Sequence, residues 1–79
     1  MIKAYILLTV KPGTDRAVFQ TIRELRQVTD LETLYGEYDL LAEVEVKNMD
    51  DLDTFIFDSM RTIQGVMKTT TLVTIKPTN

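Results

Sequence analysis

A chain of 79 residues, 44% hydrophobic and 27% charged, has room for one domain over residues 1–79, with a thin core that gains from association. It has no cysteine and no histidine, which excludes disulfides, thiolate nucleophiles, Ser-His-Asp triads and Cys/His zinc sites. The net charge of −3 argues against a dedicated nucleic-acid-binding module, and the apolar run Tyr5 to Leu8 is too short to cross a bilayer. Strand-like residues begin at once without a signal-peptide pattern, so a cytoplasmic location is expected.

Residues Met1 to Lys11 alternate as a strand. Ile2, Ala4, Ile6, Leu8 and Val10 point one way; Lys3, Tyr5, Leu7, Thr9 and Lys11 point the other. Pro12-Gly13 ends this strand. Thr14 is placed to cap a helix, with Asp15 in its first turn, and the helix is expected to run to about Gln27. Val18, Ile22 and Leu25 fall on one apolar stripe.

A second strand is expected over Thr29 to Tyr35 and a third over Tyr38 to Lys47, joined by a hairpin-like connection near Gly36-Glu37. In the third strand Tyr38, Leu40, Ala42, Val44 and Val46 share one face; Asp39, Leu41, Glu43, Glu45 and Lys47 share the other. Asn48 reads as the cap of a second helix, about Met49 to Ile63, with Leu52, Phe55, Ile56 and Ile63 as its buried stripe. Asp50, Asp51 and Asp53 fall in the first turns of that helix, where the dipole favours anions, and are read in that way rather than as metal ligands. No metal or cofactor is expected. Gly65 ends the helix, Val66 to Lys76 forms a fourth strand, and Pro77 stops it.

The order βαββαβ predicts an α+β ferredoxin-like sandwich, with both helices on one face of a four-stranded sheet and strands one and three as a parallel central pair. The face without helices presents Tyr5, Leu7 and Leu41, together with Leu72 or Val73. An apolar centre on an uncovered sheet implies a partner, and two such faces packed together make a homodimer.

The residues with the most chemical promise are Gly36-Glu37-Tyr38-Asp39 at the hairpin. A tight turn with exposed backbone N–H groups beside one carboxylate suits the ammonium and carboxylate of an amino acid. The alternative is structural: a turn with positive φ needs glycine whatever binds there, and Asp39 serves equally as a turn residue.

The run Gly36-Glu37-Tyr38-Asp39-Leu40-Leu41 at the central hairpin, Ile63-Gln64-Gly65-Val66, and the threonines Thr69-Thr70-Thr71 resemble the ligand-binding domain of the Lrp/AsnC (leucine-responsive/asparagine-type) transcriptional regulators. The resemblance covers nearly the whole chain. It departs in having Gln64 where the family commonly has proline, and in starting directly at the first strand without a helix-turn-helix domain. The chain therefore looks like a stand-alone ligand-sensing domain without a DNA-binding domain.

The resemblance implies a dimeric α/β barrel, assembly of dimers into larger rings such as an octamer or decamer, and small effectors, mostly amino acids, between dimers. It implies effector contacts from Gly36, Tyr38 and Asp39, with Thr69 and Thr71 supplied by a neighbouring subunit; Thr70 points the other way by alternation. A full-length Lrp/AsnC regulator is a further expected partner, with no direct contact to nucleic acid or membrane. Two other readings compete. One is a ligand-independent structural oligomerisation module. The other is a small ferredoxin-like dimeric enzyme, disfavoured because only Asp, Glu, Tyr and Lys are present as acids or bases.

Overall fold

The computed structural model describes residues 1–75. Its elements are β1 (Ile2–Val10), α1 (Asp15–Arg23), β2 (Val28–Thr33), β3 (Leu40–Val46), α2 (Met49–Phe55), a π-helical turn (Ile56–Met60) and β4 (Val66–Val73). They form a four-stranded sheet in the order β2-β3-β1-β4, and every neighbouring pair is antiparallel. The ferredoxin-like α+β sandwich is the observed fold.

The expected parallel pairing of the first and third strands is wrong. Strand β1 meets β3 antiparallel, from Ile2 opposite Val46 to Leu8 opposite Leu40. The physical reason is the crossover. Helix α1 carries the chain past one strand position, so β1 and β2 run in the same direction but are not neighbours. Strand β3 returns by a hairpin and fits between them, antiparallel to both.

The alternating pattern of β1 and β3 is realised in packing. Ala4, Ile6, Leu8, Leu40, Ala42 and Val44 are fully buried on the face that the helices cover. Val18 and Ile22 descend onto them from α1; Leu52, Phe55 and Met60 descend from the second helical segment. Burying each of the larger side chains contributes about 1.5–3 kcal/mol. No polar or charged side chain is buried among the described residues.

The helix ends depart from the expected ones. Helix α1 stops at Arg23, because Leu25 donates to the Ile22 carbonyl at 3.0 Å and Val28 to the Leu25 carbonyl at 3.1 Å, tight turns that lead straight into β2. Thr14 occupies the cap position without a side-chain cap; its hydroxyl donates to the Lys11 carbonyl at 2.6 Å instead. Asn48 does cap α2, its Oδ1 accepting from the Asp51 N–H at 2.8 Å. The second helix is not α-helical to Ile63. From Ile56 it widens into a π turn, closed by Arg61 N–H to the Ile56 carbonyl at 2.8 Å. The wider turn lets Phe55 and Met60, five residues apart, both reach the core.

Several strand ends fall short of the expected ones: β2 ends at Thr33, β3 starts at Leu40, and β4 ends at Val73, leaving Thr74 and Ile75 outside the strand. The expected last residue of the fourth strand, Lys76, and the stop at Pro77 lie outside the described residues. The second helical segment ends at Met60 and not at Gly65, which lies five residues on, in the turn before β4, at φ +103° and packed against α1. A Cβ there would lie 2.8 Å from Thr14 Oγ1 and 3.0 Å from Val18 Cγ2.

Candidate functional site at the hairpin and the uncovered sheet face

The connection between β2 and β3 is longer than a tight hairpin. Residues Leu34 to Asp39 form the loop, closed by Leu34 N–H to the Asp39 carbonyl at 2.8 Å. Gly36 sits at its tip with φ +143° and open space where a Cβ would be, so its conformation, not crowding, calls for glycine. Tyr35 beside it is wholly exposed, with a relative accessibility of 105%. An exposed aromatic at a loop tip is a feature that a strand assignment for Tyr35 conceals.

Asp39 is bound into the fold. Its N–H donates to the Leu8 carbonyl at 2.8 Å, and its Oδ2 accepts from the Val10 N–H at 2.8 Å. Residues 8 and 10 of β1 direct these groups toward the same neighbour, so the Asp39 carboxylate supplies one more rung of the β1–β3 ladder, just beyond the strand itself. Alternation sets Asp39 on the uncovered face with Leu41; the geometry gives it a scaffold role, the structural alternative open for this residue. Asp39 precedes β3, and strand alternation does not govern its direction.

Tyr38 is corrected for the same reason. Alternation places it on the helix-covered face with Leu40. Its hydroxyl instead lies 3.4 Å from Thr70 Oγ1. Thr70 is opposite Leu7, which is opposite Leu41, so Tyr38 reaches across the uncovered face. Thr69 and Thr71 are opposite the buried Leu8 and Ile6, on the helix side of the edge strand β4. One chain therefore brings Tyr38 together with Thr70 and does not bring Thr69 or Thr71 to the hairpin. The signal for Thr70 lay in the register with β1, which the β4 sequence alone does not reveal.

The uncovered face carries Tyr5, Leu7 and Leu41, all half-buried, as expected. Register decides the open choice in β4: Leu72 is opposite Tyr5 and joins this face, 53% exposed, whereas Val73 is opposite Ala4 and belongs to the other side. No helix of the described residues is long and apolar enough to cross a membrane. A broad open cleft at the far end of the sheet is lined by Arg26, Glu45, Asp51 and Ser59, with both signs of charge and none of the expected effector residues.

With this geometry in hand, comparison with known proteins is direct. The family profile described as the Lrp/AsnC ligand binding domain matches residues 3–78. The chain belongs to the Lrp/AsnC ligand-binding domain family. An uncharacterised HTH-type transcriptional regulator of Pyrococcus abyssi is 33% identical over 73 residues, covering 89% of this chain and 49% of that protein. The HTH-type transcriptional regulator FL11 of the same organism is 29% identical over 73 residues, covering 92% and 48%. The chain thus spans about half the length of the curated relatives it matches.

Among solved structures, FFRP-DM1 superposes with a TM-score of 0.92 at 33% identity, covering 95% of this chain and 100% of that one. TTHA0845 from Thermus thermophilus gives 0.93 at 30% identity, covering 100% and 99%. Escherichia coli AsnC, 19% identical with a TM-score of 0.91, shares the Lrp/AsnC fold over 96% of this chain and 52% of its own.

Proposed function

We propose that this Lrp/AsnC domain is a regulatory module that senses an amino acid and acts through assembly. The observation that carries the reading is the family match over residues 3–78. The uncovered sheet face with Tyr5, Leu7, Leu41 and Leu72 supports a homodimer, because an apolar centre on central strands is costly to leave in water. Dimers then join into a higher oligomer, an octamer or decamer. The domain matches FFRP-DM1 and TTHA0845 over 100% and 99% of their own length. It acts on transcription by co-assembling with a full-length regulator and does not itself contact DNA.

The effector is held at the hairpin, with Gly36, Tyr38 and Asp39 from one copy and Thr69 and Thr71 from another. A transcriptional regulator of this fold from Neisseria meningitidis, NMB0573, is known as a complex with L-Met, which supports an amino acid as the effector class. Asp39 Oδ2 is engaged with Val10, so a ligand ammonium would use the remaining lone pairs of the carboxylate. Binding regulates only by favouring one assembly over another.

The test is a thermal-shift screen with the twenty amino acids, followed by calorimetry and mass measurement in solution. A true effector at about a hundred times its Kd adds about 2.7 kcal/mol of stability. No shift with any amino acid, from a protein that assembles fully, would remove sensing. That outcome would leave the second reading, ligand-independent oligomerisation. One specific observation favours that alternative: the scaffold itself uses the Asp39 carboxylate.

A further inference from the structure

At the end of the sheet away from the hairpin, β3 runs on past the start of β2. Val28 is opposite Val44, so Val46 has no partner in β2. The space beside it, under α2, is an open cleft of about 570 Å³. Its floor is Val46 and Phe55, which are 6% and 3% exposed. That volume is in the range of small-molecule sites.

The walls carry opposite charge. Arg26, in the connection between α1 and β2, and Lys47, just past β3, line the sheet side; Asp51 lines the helix side. Glu45 also borders the cleft, but it is opposite Lys3, and alternation turns its side chain to the uncovered face. Among the described residues the single ion pair is Lys3 with Glu43, at 3.8 Å, so Arg26, Lys47 and Asp51 make none there. Opposite charges that border one cleft and leave each other unpaired suit a ligand that carries both signs and spans the gap.

These groups are held in place. The Glu45 N–H donates to the Gln27 carbonyl at 3.0 Å, which pins the connection bearing Arg26 to β3. The π turn shapes the other wall. In a regular α-helix position 59, four residues after Phe55, would face the core; the wider turn gives that place to Met60 and leaves Ser59 half-buried at the cleft. Thr54 lines the cleft one turn earlier. Thr21 and Thr62 return their hydroxyls to the carbonyls of Ala17 and Asp58, at 3.0 and 2.8 Å. The hydroxyls of Thr54 and Ser59 make no such bond to any described residue and stand open to a ligand.

We propose that this cleft binds a short peptide of about three residues with both ends free. Arg26 and Lys47 take the terminal carboxylate and Asp51 the terminal ammonium. Thr54 and Ser59 bond the peptide amides, and an apolar side chain rests on Phe55 and Val46. A free amino acid carries both charges on one carbon and does not reach from wall to wall, whereas three extended residues span about 10 Å. The length of β3, roughly 20 Å, separates this cleft from the hairpin, and the proposal does not rest on the effector reading there.

The experiment is calorimetry with the tripeptide alanyl-leucyl-alanine, its N-acetyl and C-terminal amide forms, and free leucine, on the parent, R26Q, D51N and S59A. Circular dichroism melts establish that each variant folds. The parent is expected to bind the free tripeptide with a Kd below about 1 mM, and each blocked form about tenfold to a hundredfold more weakly. D51N is expected to lose the preference for a free ammonium and keep that for a free carboxylate; R26Q is expected to do the reverse. S59A, which touches neither charge, is expected to weaken all three forms alike, by about twofold to tenfold.

Matching each blocked end to one variant ties each charge to its residue, which a loss of stability alone would not do. The proposal is overturned by no binding to the parent at about 10 mM peptide, by blocked forms that bind as well as the free one, or by preferences unchanged in both R26Q and D51N. Free leucine that binds as tightly as the tripeptide, and is lost in the same two variants, overturns the peptide class.

Discussion

Asp39→Ala is expected to cost stability before any ligand is added. The carboxylate accepts the Val10 N–H at 2.8 Å, and Val10 is 6% exposed, so truncation leaves an almost buried donor without a partner. Hydrogen bonds to charged groups contribute about 1.5–3 kcal/mol, and an orphaned buried donor costs about 1–3 kcal/mol. These describe the same loss from two sides, so the expected penalty is about 2 kcal/mol. For a domain of this size that lowers the melting temperature by roughly 8–16 °C. Asp39→Asn keeps a neutral acceptor oxygen and should lose about half as much. The assay is thermal and urea unfolding of parent, Ala and Asn variants at one protein concentration, since association shifts the midpoint. An Ala variant that melts within about 2 °C of the parent would refute the ladder role of the carboxylate. Calorimetry on the same variants then separates a lost ligand contact from a loosened loop.

Two further substitutions test the packing. Leu7→Asp places a carboxylate at the centre of the proposed interface, at a cost of several kcal/mol to the dimer, and sedimentation should show monomer; a dimer as tight as the parent's would show that this face is free. Gly65→Ala combines φ +103° with a Cβ 2.8 Å from Thr14 Oγ1, so the unfolding free energy should fall by about 1–3 kcal/mol, and an unchanged value would mean that α1 yields at no cost.

The layer arrangement was legible because period-2 alternation in Ile2–Val10 and Leu40–Val46 and the helical stripe of Val18 and Ile22 are signals of burial, and burial is what the core enforces. Strand direction was not read correctly, since alternation is the same for parallel and antiparallel neighbours. Met60 escaped because a stripe drawn at 3.6 residues per turn does not anticipate the π turn from Ile56. The cap at Asn48 was readable from one residue type in one place, whereas Thr14 found a nearer acceptor in the Lys11 carbonyl.

The site was harder to read because the residues just before a strand look like strand residues. Alternation assigns Tyr38 and Asp39 to faces, yet the strand begins only at Leu40. They tie the loop to two places: Asp39 to the main chain of Val10, Tyr38 to Thr70 over the uncovered face. Six residues around a glycine at φ +143° thereby keep a definite shape although Tyr35 at the tip is fully exposed. A carboxylate that closes a ladder and one that meets an ammonium need the same placement, at a strand end beside free donors. Residue type and spacing therefore could not separate scaffold from site. The separation lies in individual oxygens: Oδ2 is engaged with Val10, and an ammonium would be left the remaining lone pairs. On that view Asp39→Asn is the more telling substitution, because it retains an acceptor for Val10 while removing the negative charge that a ligand ammonium would need.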